Sequence, residues 1–164
     1  LATVAAAMLT ASVTPTLRAQ PKAPPPAPAK KKLVVIVAKD SPIERLSIQE
    51  LRSLFLGDNV KDARDTRLVP LNQPPGAPDR VSFDRIVLGM SPDETGRYWV
   101  DRKIRGEGRP PRTFDSPILL QRLVAKFPGA VAYVRIDQID PAVGVKAIRI
   151  DGKGPNDPGY PMVD

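Results

Sequence analysis

The chain has 164 residues, 41% of them hydrophobic, and a formal net charge of +7 from 25 Lys/Arg and 18 Asp/Glu. It contains no cysteine and no histidine, which excludes disulfides, thiolate or imidazole metal sites, cysteine nucleophiles and any serine–histidine–carboxylate triad. Residues 1–32 hold five basic groups and no acid, whereas from Leu33 onward 20 Lys/Arg are balanced by 18 acids; the positive charge therefore belongs to the N-terminal segment, and the folded part lacks the footprint of a nucleic-acid binder.

Leu1 to Val13 is apolar, rich in alanine and free of charge. It is too short to span a bilayer and matches the apolar region of a secretory signal, with the small Ala19 ahead of a cut. Residues 1–19 are thus expected to be a signal peptide sending the chain to the periplasm or cell envelope; the alternative is an N-terminal amphipathic helix. Residues 20–32, Gln-Pro-Lys-Ala-Pro-Pro-Pro-Ala-Pro-Ala-Lys-Lys-Lys, predict a semi-rigid polyproline spacer. An uncut leader would make a weak membrane tether.

A single α/β domain is expected over 33–152. Leu33 to Ala38 is a continuous β-branched run, the pattern of a strand buried on both faces. Ser47-Ile-Gln-Glu50 is a capping box; Ile48, Leu51, Leu54 and Phe55 then recur at helical spacing up to Gly57. Residues 58–66 are polar and read as a loop. Arg67 to Asn72 predicts a second strand with Pro70 near its end, followed by a Pro/Gly-rich turn over 73–78. A helix from about Asp79 stops at Gly89.

Ser91-Pro-Asp-Glu94 is a second capping box, with proline in the first helical position. Its helix carries Tyr98, Trp99 and Ile104, and Gly96 weakens it by about 1 kcal/mol relative to alanine. Arg105 to Arg112 reads as a basic loop. Ser116-Pro117 opens a helix with Ile118, Leu119, Leu120, Leu123, Val124 and Phe127 expected inward. Pro128-Gly129 turns the chain into a strand over 130–134, and Val145 to Ile150 predicts one more. Residues 153–164 read as an irregular tail. Strands separated by helices predict an α/β fold with a small mixed, partly parallel sheet flanked by helices.

Several segments in combination carry a resemblance: Leu54-Phe-Leu-Gly57, the run Val69 to Phe83, Val87-Leu-Gly89, Tyr98-Trp99, and Phe127-Pro-Gly-Ala-Val-Ala-Tyr-Val134. Together they resemble the phosphate-type periplasmic solute-binding proteins of ABC transporters, most of all the short single-domain members, over about Leu33 to Ile150. The resemblance implies one lobe of a periplasmic binding protein. It also implies that phosphate or another oxyanion would bind at a strand–turn–helix site, with an ABC permease or another envelope protein as partner. Carried over by residue, Gly76 matches the family's turn glycine, while Ala77, Pro78 and Asp79 stand where serine, glycine and threonine are usual. Asn72 stands near an early arginine, and Arg80 and Phe83 keep the pattern that follows. Ala77 lacks a hydroxyl, Pro78 lacks an N–H, and Asp79 adds a negative charge.

The candidate ligand-binding residues are therefore Asn72, Gly76, Ala77, Asp79 and Arg80. Arg80 as a fork donor to an oxyanion stands against a surface arginine paired with Asp84 at i,i+4. Arg105, Arg109 and Arg112 are either an anion-binding or docking patch or a solvated loop. Trp99 is expected in the core. No nucleophile–base pair, metal cluster or cofactor motif is legible, so the expectation is a non-catalytic binding module. The alternative is a cell-envelope scaffold or protein-interaction module that has lost its ligand.

Overall fold

The structure, a computed structural model, describes residues 32–164. The expected signal peptide and nearly all of the proline spacer lie outside the described residues. Strand β1 (Leu33–Ala38) is the centre of the core: none of its residues is more than 4% exposed, so both faces of the sheet are covered there, as the unbroken apolar run requires. β1 pairs antiparallel with β5 (Ala130–Arg135), Val35 opposite Tyr133, and on its other side with β6 (Val145–Ala147). β3 (Val69–Asn72) runs parallel to β5 and to the two-residue edge strand β4 (Arg112–Thr113). The sheet order is β4-β3-β5-β1-β6, a mixed and partly parallel sheet. A separate two-stranded parallel pair joins β2 (Arg45–Leu46) to β7 (Arg149–Ile150).

Three helices start where cap chemistry predicts. Helix α1 (Ile48–Phe55) and helix α3 (Pro92–Ile104) each open on a complete capping box, Ser47 with Glu50 and Ser91 with Glu94. Helix α4 (Pro117–Lys126) opens on Ser116, whose hydroxyl accepts from the Leu119 N–H. Helix α2 (Pro78–Phe83) has no side-chain cap and widens into a π-helical turn over Asp84–Leu88, closed by left-handed Gly89.

Phe55 of α1, Phe83 of α2 and Tyr133 of β5 form one aromatic cluster, with Phe83 stacked on Tyr133 at 3.8 Å between ring centroids. Helix α4 packs against β1 and β5. Gly129 makes the turn into β5 possible. Its φ is +80°, and a Cβ there would stand 2.6 Å from the Arg67 carbonyl oxygen, while its own carbonyl accepts from the Val69 N–H at 2.9 Å.

Four expectations are corrected. The strand over 145–150 is two strands, β6 and β7, serving different sheets. Leu119 and Phe127 point outward rather than inward, at 45% and 57% exposed. The ten-residue α4 turns Leu120, Gln121 and Val124 to the core, and Phe127 lies past the helix end in extended backbone, where the 3.6-residue period no longer applies. Arg112 belongs to an edge strand rather than to the loop before it. Arg80, in its plainer alternative a surface residue, is buried. The tail after Gly152 has no regular helix or strand, yet Tyr160 and Met162 are buried in the same core, and Met162 accepts from the Leu33 N–H at 2.9 Å.

Candidate functional site

The turn from β3 into α2 brings four polar side chains into the interior: Asn72, Gln73, Asp79 and Arg80 are each under 9% exposed. Buried polar groups need partners, and most of these have them. Asn72 Oδ1 accepts from the Tyr133 hydroxyl at 2.5 Å and from the Gln73 N–H at 2.8 Å. Burial first, and then the nearby Asp84 carboxylate, raise the Tyr133 hydroxyl well above its usual range against the opposing pull of Arg80. Arg80 donates through Nη1 to the Gln73 carbonyl at 2.8 Å and through Nε to Asp84 Oδ2 at 3.3 Å. The i,i+4 partner anticipated for Arg80 is thus correct, but both side chains are almost fully buried, 7% and 3% exposed. Asp79 lies 4.0 Å from Arg135 Nη1.

Asp84 is the exception to this satisfaction. Its Oδ1 is buried and accepts no hydrogen bond; the neighbouring Thr95 hydroxyl donates instead to the Ser91 carbonyl at 3.0 Å. Burial raises the Asp84 carboxyl above its ordinary value despite the opposing pull of Arg80 and, after it, of the nearby Thr95 hydroxyl.

Arg80 and Asp84 lie at the wall of a cleft of about 390 Å³ that is also lined by Gly76, Thr95, Trp99 and Arg112. Its remaining wall is Pro75, Val81, Pro92 and Gly96, closed by Pro110, Pro111 and Thr113. Four chain segments meet here: the 73–78 turn, α2 with its π-helical turn, one face of α3, and the segment entering β4. Parallel pairing of β3 with β4, Leu71 opposite Arg112 and Asn72 opposite Thr113, sets the last of these beside the first. Gly76 adopts φ +83°, the left-handed conformation that turns the chain from β3 into α2.

Of the sequence candidates, Gly76, Arg80 and Arg112 share this cleft. Asn72, Ala77 and Asp79 flank it without lining it. Arg109 lines a neighbouring cleft of about 320 Å³ with Arg67, Arg102 and the other side of Trp99. Arg105 lines neither and forms a two-pronged pair with Glu107, at 2.7 and 3.2 Å. Trp99 is buried as expected, and it forms part of the wall of both clefts. Asp84 and the proline walls went unselected in the sequence. The only signal for Asp84 was its spacing from Arg80, because burial of the pair depends on packing from α3.

Among the described residues no cluster of His, Cys, Asp or Glu could hold a metal ion, and no helix is long and apolar enough to cross a membrane. The cleft offers the guanidinium groups of Arg80 and Arg112, the Asp84 carboxylate and an apolar wall.

No protein-family model matches the chain. Among solved structures, an ABC-type phosphate transport receptor from Vibrio cholerae superimposes with a TM-score of 0.60 at 18% identity, over 77% of this chain and 49% of that one. PstS from Borrelia burgdorferi matches with a TM-score of 0.60 at 12% identity, over 82% of this chain and 55% of that one. The chain spans about half the length of these structures, and its fold is that of one lobe of a periplasmic binding protein.

Proposed function

We propose that the chain is an exported, non-catalytic solute-binding module that takes phosphate or a related oxyanion in the cleft beside Arg80. Its partner in this reading is an ABC permease or another envelope protein. The observation that carries the proposal is the buried Arg80–Asp84 pair at the cleft wall, with Asp84 Oδ1 lacking a donor. Arg80 and the exposed Arg112 attract the anion. A buried acceptor without a partner is costly, so Asp84 favours an oxyanion that still carries a proton. Phosphate keeps one throughout the neutral range, and sulfate keeps none. The resemblance of the fold to phosphate receptors supports the same ligand class.

The test is calorimetric titration and thermal unfolding of the full chain with phosphate and with sulfate. Phosphate is expected to raise the melting temperature, since a ligand at about 100 times its Kd stabilises the native state by about 2.7 kcal/mol. Sulfate is expected to do so far less, and Arg112→Ala to weaken phosphate binding without unfolding the chain. Absence of any shift at millimolar phosphate would sink the ligand assignment.

A second reading, an envelope scaffold that kept the lobe and lost the ligand, is favoured by one observation. Ala77, Pro78 and the buried Asp79 remove a hydroxyl and an N–H from the turn and add an acid to it. It predicts capture of an envelope partner that is indifferent both to phosphate and to Arg112→Ala.

A further inference from the structure

Gly96 is the one feature of helix α3 that local structure does not account for. It sits in the middle of a 13-residue helix, where glycine is the weakest ordinary helix former. Its φ is not in the left-handed region, and a Cβ built there would meet nothing within 4 Å. Neither backbone conformation nor close packing therefore calls for glycine. What the position does have is a place in the cleft. Pro92, Thr95, Gly96 and Trp99 all line it, at the i, i+3, i+4, i+7 spacing of a single helix face. A side chain at position 96 would grow from that face.

The cleft has two kinds of lining. Arg80, Asp84 and Arg112 supply its charged lining, with the Asp84 Oδ1 buried just behind the surface, and Trp99, Val81 and the prolines at 75, 92, 110 and 111 supply its apolar lining. At about 390 Å³ it falls in the range of pockets that hold small organic molecules. It is far larger than a tetrahedral ion needs, and a bare ion would leave its apolar wall wet.

We infer that Gly96 keeps this cleft open for an organic body, and that the ligand is a monosubstituted phosphoryl compound, a phosphate monoester or phosphonate, rather than the inorganic ion. The phosphoryl head lies on Arg80 and Arg112 with its hydroxyl toward Asp84, and the organic body lies against Trp99 and the prolines. This inference rests on the oxyanion reading of the same cleft.

Trp99 is the only tryptophan in the chain, so its emission reports on this wall. The experiment compares phenyl phosphate with inorganic phosphate on the full chain by calorimetry and Trp99 fluorescence, with phenol as the body-only control. It is run at about pH 5.5, below the second ionisation of a monoester near 6. Phenyl phosphate is expected to bind at least about tenfold more tightly than phosphate and to change Trp99 emission, which phosphate does not. Gly96→Leu is expected to raise the melting temperature and to bring the ratio of the two affinities to about one, with Gly96→Ala in between. Equal affinities in the wild type, or a ratio untouched by Gly96→Leu, would overturn the inference and leave the oxyanion reading standing. Binding of neither compound would overturn both. Binding of phenol as tight as that of phenyl phosphate would also overturn it, because the head would then contribute nothing.

Discussion

Arg80 and Asp84 form a buried structural pair, and the proposed function gives the same pair a binding role. The guanidinium is held by a backbone carbonyl and by one carboxylate oxygen, while the other carboxylate oxygen has no donor. Removing one member of a buried ion pair leaves an uncompensated charge and costs about 3–5 kcal/mol. Arg80→Met is expected to destabilise by that order at neutral pH in urea denaturation. The penalty has a sign in pH. The Asp84 carboxyl is already raised by burial, and without Arg80 it rises further. The variant therefore recovers stability as the pH falls and Asp84 takes a proton, so the gap to wild type narrows toward acid. A gap that widens in acid would show that Asp84 is not the group left exposed to this cost.

At the scale of elements, the helices are set by their first turns. In α1 the Ser47 hydroxyl accepts from the Glu50 N–H at 3.1 Å while the Glu50 carboxylate accepts from the Ser47 N–H at 2.8 Å. Ser47→Ala is expected to cost about 1 kcal/mol, read as a lowered urea midpoint. The Ser47 N–H first, and then the Ser47 hydroxyl, which donates to the Glu50 carboxylate at 2.8 Å, hold that carboxyl below its ordinary 4.5. A lowered folded-state value means that the contribution of Glu50 is fully present above its unfolded pKa and is lost as the pH falls through the folded one. The stability difference between wild type and Glu50→Gln should accordingly be present at pH 7 and fade as the pH falls below the ordinary glutamate value of about 4.3.

Much of this layer was legible in the sequence. The strand at Leu33 was legible as an unbroken apolar run, and the serine caps at 47, 91 and 116 and the stops at Gly57 and Gly89 rest on contacts within a few residues. The misreadings lie where local periodicity ends. Phe127 follows the apolar spacing of α4 but sits beyond its last turn, and 145–150 looks like one strand because alternation does not reveal which partner each half finds.

For the whole molecule, the C-terminal tail is the clearest case of order without regular structure. Met162 is fully buried, Val163 bridges Lys32, and Ser82 and Arg85 both bond the Asp164 side chain. Met162→Ala is expected to cost about 2–5 kcal/mol, and deletion of residues 153–164 more than that, measured as urea midpoints. A deletion that leaves the midpoint unchanged would show that the tail folds apart from the domain. The same dependence on distant partners governs the candidate site. The 73–78 turn was legible as a Pro/Gly-rich turn, but the cleft beside it exists only because β4 pairs with β3 and α3 brings Trp99, Thr95 and Gly96 to the same cavity as Asp84.

By itself the sequence determined the absence of cysteine and histidine chemistry, the near-balanced charge of the folded part, the buried first strand, the helix starts and the α/β class. These follow from composition, period and cap chemistry, all of which act along a short stretch of chain. Only the tertiary structure decided that Arg80 is buried rather than solvated, that Asp84 is left with an unpaired oxygen, and that Arg112 rather than Arg105 shares the cleft. Burial and desolvation are set by residues far apart in the chain, and no local pattern encodes how much water a side chain will lose.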